Sequence, residues 1–121
     1  MIGYATIGSN DPERAHAFYD AVLAPLGGKR VFANERLQFW ASRQMPGMIA
    51  VGTPFEGEAS VGNGAMFGLA APTRDVVDEV YAAAIAAGAK CEGAPGQRTE
   101  RFYGAYFRDL EGNKLCAYKL G

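Results

Sequence analysis

An apolar run, a helical spacing of apolar positions and then alternating segments broken by glycine turns follow one another twice along this chain. Tyr4–Gly8 and Ala65–Ala71 are short apolar runs suited to strands. A helix start follows each. Asp11 can cap with Pro12 at the first helical position, and Thr73 can cap a second helix. Ala15, Phe18, Tyr19, Val22, Leu23 and Leu26 recur at helical spacing, as do Val77, Val80, Tyr81, Ala84 and Ile85. Gly27-Gly28 and Gly88 mark the helix ends. Pro25 predicts a distorted last turn in the first helix. Three strands are expected after each helix: Arg30–Ala33, Leu37–Arg43 and Met48–Thr53, then Lys90–Glu92, Gly104–Arg108 and Lys114–Leu120. The closing hairpins turn at Gln44-Met45-Pro46-Gly47 and Asp109-Leu110-Glu111-Gly112-Asn113.

The two halves are an internal repeat. With Tyr4–Arg30 set over Met66–Glu92, Ile7 falls on Leu69, Phe18 on Val80, Tyr19 on Tyr81 and Leu23 on Ile85. Each half reads βαβββ: module 1 over about residues 1–55 and module 2 over about 62–121, joined by the Pro/Gly-rich stretch Thr53–Gly64. A unit of ~60 residues buries too little surface to stand alone. The expectation is therefore one α+β domain, with a helix on the outer face of each sheet and the inner faces curving around a cleft.

Composition narrows the function. The 121 residues are 49 % apolar and 21 % charged, the balance of a globular protein. Twelve basic side chains against thirteen acidic ones leave net −1, so no basic excess exists to neutralise phosphates, and nucleic acid is not an expected partner. No run of ~18 apolar residues suits a membrane span. Met1-Ile2-Gly3-Tyr4 lacks a signal peptide's charged and apolar regions, which gives the expectation of a cytoplasmic protein with Cys91 and Cys116 reduced.

Specific strings carry a resemblance. Asp11-Pro12-Glu13-Arg14-Ala15-His16-Ala17-Phe18-Tyr19 is similar to the first-helix signature of the vicinal oxygen chelate superfamily. That group includes glyoxalase I, bleomycin-resistance proteins, fosfomycin-resistance enzymes and extradiol dioxygenases. Val61-Gly62-Asn63-Gly64 with Ala70-Ala71-Pro72-Thr73 is similar to the second-module entry of small bacterial glyoxalase-like proteins. The stretch from Tyr103 through Asp109-Leu110-Glu111-Gly112-Asn113-Lys114 is similar to their closing hairpin. The resemblance spans the whole chain and implies the paired βαβββ fold. It also implies a homodimer, since small two-module members usually pair and often complete their clefts across the two-fold.

The resemblance further implies where a metal would sit. Members with chemistry hold a divalent ion through His, His and Glu on inward strand positions, often with a fourth ligand, and the ion acts as a Lewis acid. Carried over by the flanking strings, those positions fall on Tyr4, Met66 and Cys116, with the fourth near Val51 by the repeat. None is a histidine or carboxylate, so no metal site and no cofactor is expected. The single histidine, His16, shares a helix face with Glu13 and Asp20 and reads as solvated. Cys116 as a nucleophile would need a base or a helix N-terminus to lower its thiol pKa, and no histidine is at hand.

Strand alternation completes the expected pocket. Thr6 goes with Tyr4, Tyr118 goes with Cys116, and either Trp40 or Phe39 comes from the second strand of its half. Arg98, Arg101 and Tyr103 belong to a charged-aromatic loop expected at the cleft mouth, where an arginine can grip a carboxylate or phosphate. Arg43, Arg108 and Lys114 read as surface charges at strand ends. This lining suits a planar or hydrophobic small molecule. The favoured reading is a glyoxalase-like small-molecule-binding protein without the family metal site, with no catalytic residue assigned. The alternatives are a metal-dependent lyase or dioxygenase, and a metal-free enzyme using cleft Tyr or Cys.

Overall fold

The computed structural model describes all 121 residues. The elements run β1 (Tyr4–Gly8), α1 (Pro12–Leu23), β2 (Lys29–Ala33), β3 (Leu37–Ala41), β4 (Met48–Gly52), β5 (Phe67–Ala70), α2 (Arg74–Ala86), β6 (Lys90–Thr99), β7 (Phe102–Arg108) and β8 (Lys114–Leu120). They form two four-stranded sheets, β1-β4-β3-β2 and β5-β8-β7-β6. The architecture is α+β, two βαβββ units, as the repeat predicts. In each sheet the first strand pairs in parallel with the last, and the other pairs are antiparallel.

Local signals act where expected. The Asp11 carboxylate accepts from the Arg14 amide and the Thr73 hydroxyl from the Val76 amide, each satisfying one orphan donor of its helix. Pro25 shortens α1: the α-helix stops at Leu23 and Ala24–Leu26 is a 3-10 turn, closed by Gly27 at φ 75°.

One expected element is corrected. The stretch from Arg98 to Tyr103 is no loop. β6 continues to Thr99, only Glu100 and Arg101 turn, and β7 begins at Phe102. Gly93, Pro95 and Gly96 hide the strand from its residue pattern. They break the β6–β7 register at several points, so β6 reads as irregular chain although it pairs along its length.

The modules meet through their helix-bearing faces, which corrects the expectation of helices on the outside: the helices lie at the junction, and the open faces do not curve around one cleft within the chain. A single cluster of 18 buried residues takes Ile7, Trp40 and Val51 from the first sheet and Phe18, Tyr19 and Val22 from α1. The same cluster takes Val77, Val80 and Ala84 from α2 and Leu69, Phe107 and Leu115 from the second sheet. Polar bonds lock the junction. Tyr19 Oη donates to Asp109 Oδ2 at 2.6 Å, and Ser9 Oγ donates to Glu111 Oε1 at 2.8 Å. The opposite face of each sheet carries no helix and is called its open face below. The apolar cluster on the first open face, Leu37, Phe39 and Ala50 with Met48, lies wholly in module 1. Tyr4 and Phe32 there are 55 % and 53 % exposed, and Met66 beside the second open face is 48 % exposed, so the chain leaves these faces uncovered.

Candidate functional site

Register assigns each candidate residue to a face. Tyr4 and Thr6 stand on the first open face, where the Tyr4 ring meets Phe39 edge-on at 5.4 Å and Phe39 stacks on Phe32 at 4.4 Å. Thr6 pairs with Ala50, as Gly68 pairs with Cys116 in the second sheet. The repeat position of Cys116 is therefore Ala50. Val51, expected there, is one residue out of register, and one residue inverts the face. It is fully buried on the helix side. The choice between Trp40 and Phe39 resolves the same way. Phe39 is on the open face, while Trp40 turns to α1 and donates its indole N–H to Asp20 at 2.9 Å.

His16 is half-buried, not solvated. Its Nε2 lies 2.9 Å from the Val51 carbonyl oxygen and its ring abuts Trp40 edge-on. A carbonyl only accepts, so Nε2 carries the proton and donates. The imidazole ties α1 to β4.

The second open face carries Cys116 and Tyr118 from β8, with Tyr106 of β7 opposite Cys116. Gly68 leaves room for the Tyr118 ring, which lies 3.2 Å from where a Cβ would sit. Phe102 stacks on Tyr118 at 5.3 Å. Arg98 lies over Tyr106, 5.5 Å from the ring centroid, and the Lys114 ammonium is 5.6 Å from the same centroid. Lys114 is thus not a simple surface charge, and Tyr106 is a site residue that sequence reasoning missed. The signal was available: Tyr106 alternates with buried Ala105 and Phe107 and so shares a face with Gly104.

Two more expected residues leave the site. The Tyr103 hydroxyl donates to Asp78 Oδ1 at 2.7 Å and Arg74 lies over its ring, so it belongs to the α2 side. Arg101 is exposed in the β6–β7 turn. Arg108 pairs with Glu92 at 2.6 Å, as a surface charge would.

Burial pushes the Cys116 thiol up, against the opposing pull of the Tyr106 hydroxyl, Arg98 and Lys114. Burial and the neighbouring Cys116 raise Tyr106 as well. Both groups are neutral at physiological pH, so Cys116 is not primed as a thiolate.

A cavity of about 420 Å³ opens between the modules. Leu23, Leu26, Trp40 and Ile49 wall it from the helix side, and the loop through Met45, Pro46 and Gly47 forms one rim. Met66, Gly68 and Tyr118 connect it to the second open face. Its lining is mostly apolar. Of the expected pocket residues it takes Trp40, Met66 and Tyr118.

The donor set does not fit a divalent metal. Tyr4 and Ala50 sit on one open face and Met66 and Cys116 at the other, giving a phenol, a methyl, a thioether and a protonated thiol. Hard cations need several carboxylate or carbonyl oxygens, and zinc needs three or four imidazole, carboxylate or thiolate donors, of which this set holds one buried thiol. No three His, Cys, Asp or Glu side chains gather anywhere as a ligand cluster.

Comparison with known proteins matches this geometry to one group. The family model described as Glyoxalase/Bleomycin resistance protein/Dioxygenase superfamily matches residues 1–117. No curated protein matches the sequence. Among solved structures, a glyoxalase/bleomycin resistance protein from Albidiferax ferrireducens T118 is 38 % identical. The match covers 100 % of this chain and 99 % of that one, with TM-score 0.92. A glyoxalase/bleomycin resistance protein/dioxygenase family enzyme from Burkholderia phytofirmans PsJN is 20 % identical over 98 % of both chains, TM-score 0.76. A lactoylglutathione lyase from Agrobacterium tumefaciens is 22 % identical, covers 98 % of this chain and 92 % of its own, and has TM-score 0.71. The last two share the fold at a level of identity that carries no activity across. With its paired βαβββ modules and a family match along nearly its whole length, the chain belongs to the Glyoxalase/Bleomycin resistance protein/Dioxygenase superfamily.

Proposed function

We propose that the chain is a cytoplasmic small-molecule-binding protein that works without the divalent metal of its superfamily. The observation that carries this is the residue set at the ligand positions: Tyr4, Ala50, Met66 and Cys116 offer no carboxylate or imidazole. What they offer is an apolar and aromatic surface with hydroxyls from Tyr4, Thr6, Tyr106 and Tyr118. Such a surface holds a planar, largely apolar molecule by contact area and fixes its orientation by a few hydrogen bonds.

The binding cleft in this reading is completed by a second copy of the chain. The first open face, with Tyr4 and Phe32 half exposed, needs a cover, and the rings of Phe102, Tyr106 and Tyr118 on the second open face of another copy supply one. The strand edges support the same pairing. The outer strands β2 and β6 carry Lys29, Arg30, Lys90 and Arg98, with Pro95 and broken register in β6, the devices that keep edges apart. The opposite edges, β1 (YATIG) and β5 (FGLA), carry no charge at all.

Thermal melting of the untagged protein with EDTA, with Zn, Ni, Mn or Fe(II), and with planar aromatic compounds tests the reading. Anything that binds the folded state raises its melting temperature by mass action. Aromatic compounds are expected to raise it, and EDTA and metals to leave it unchanged. A melting temperature lowered by EDTA and restored by one divalent metal contradicts the proposal.

A further inference from the structure

Two cations on the second open face, Arg98 and Lys114, lie at one tyrosine ring with no carboxylate paired to either. We infer that Arg98 and Lys114, over the Tyr106 ring, form a receptor for the oxyanion end of the ligand, so that the natural ligand is an aromatic or planar anion. This rests on the reading of the open faces as the binding surface.

The construction of β6 is the first support. Its register breaks around Gly93 and Gly96, and a Cβ placed on Gly93 would lie 3.2 Å from Arg98 Nη2 and 3.3 Å from Tyr106 Cδ2. The strand thus gives up side chains and regular pairing at the place where the guanidinium folds back. The Ala94 carbonyl accepts from Arg98 Nη2 and holds it there. Local charge is the second support. The chain as a whole is at net −1, yet Arg98, Arg108, Lys114 and Lys90 surround this part of the second sheet with Glu92 as the carboxylate among them. Glu92 is taken by Arg108 at 2.6 Å. Neither Arg98 nor Lys114 has a carboxylate within salt-bridge distance; the chain's two such pairs are Arg30–Asp20 and Arg108–Glu92. Two like charges at one ring repel each other, and a bound oxyanion relieves that repulsion while accepting charge-assisted hydrogen bonds from both. Phe102, Tyr118 and Tyr106 then lie beside the ligand's planar body.

Three probes of equal ring size test this by calorimetry or fluorescence: 2-naphthoate, 2-naphthyl phosphate and neutral 2-naphthylmethanol. They are titrated into the wild type and into Arg98→Gln and Lys114→Gln, whose folding is checked by circular dichroism. At least one anion is expected to bind more tightly than the alcohol. That preference is expected to fall about tenfold in either variant, the size of one charge-assisted hydrogen bond. It is also expected to weaken with added salt, while the alcohol binds all three proteins alike. Loss of naphthoate binding assigns a carboxylate, and loss of naphthyl phosphate binding a phosphate. Anions and alcohol binding equally, whatever the variant, overturns the oxyanion receptor and leaves the apolar binding surface standing. No binding of any probe overturns both.

Discussion

Tyr19 in α1 and Asp109 in the β7–β8 turn form a hydrogen bond of 2.6 Å that joins the two modules inside their common core. Asp109 is 6 % exposed and also accepts from the Asn113 side chain and from the Glu111 and Asn113 amides. The turn is therefore organised around one carboxylate, and α1 is docked to it by one phenol. Burial, reinforced by the charge of Asp109, raises the Tyr19 pKa well above that of a free tyrosine.

Tyr19→Phe should cost about 1.5–3 kcal/mol at pH 7, the range for a hydrogen bond to a charged group. Its pH dependence has a definite sign. Because the folded-state pKa is raised, the contribution is complete below the unfolded value of ~10 and is lost as the pH rises above it. Urea midpoints should thus separate wild type from variant at pH 7 and converge at the alkaline end. A constant gap from pH 7 to pH 11 would show that the phenol's proton is not what stabilises the junction.

The thiols report on the open face. Cys91 is exposed and Cys116 is 1 % exposed, with its pKa raised by burial. Reaction with an aromatic disulfide reagent at pH 8 should modify one thiol per chain rapidly and the second only in denaturant. Two rapidly reacting thiols would instead favour a reactive Cys116 and the metal-free enzyme reading.

Much of this was legible in the residues, and the failures share a cause. Helix stripes, caps and the repeat depend on local spacing, so α1, α2 and the paired βαβββ pattern could be read directly. Face assignments depend on register, where one residue decides everything. The repeat aligns β1 and α1 with β5 and α2 and says nothing of the last strand, so the residues alone do not separate Val51 from Ala50. Trp40 and Phe39 are both apolar, and only their cross-strand partners, Ile49 and Ala50, separate them. In β6, glycine and proline carry a loop signal from Gly93 onward, although here they clear space for Arg98. The meeting of the modules through their helix sides is a tertiary choice that an amphipathic pattern leaves open.

If two copies pair as proposed, placing a positive charge on the first open face should separate them without unfolding the chain. Tyr4 is 55 % exposed in the single chain, so Tyr4→Lys should leave the monomer folded, at a cost of ~1–2 kcal/mol for the lost ring contact with Phe39 and the weaker strand propensity. In the paired state the ammonium would be buried unpaired against a face that already carries Arg98 and Lys114, which is strongly unfavourable. Sedimentation at micromolar concentration should show the variant at the chain mass with its far-UV spectrum retained. A variant that still sediments as the wild type does would place the contact elsewhere.

Native mass spectrometry of the untagged protein reads both halves of the proposed function at once: a cleft without metal, and its sharing by two copies. The chain mass is 12.9 kDa. The expected spectrum at micromolar concentration is dominated by a species of twice that mass with no divalent metal retained. A spectrum of monomers, or of dimers carrying one zinc, nickel, manganese or iron ion per chain, would contradict it.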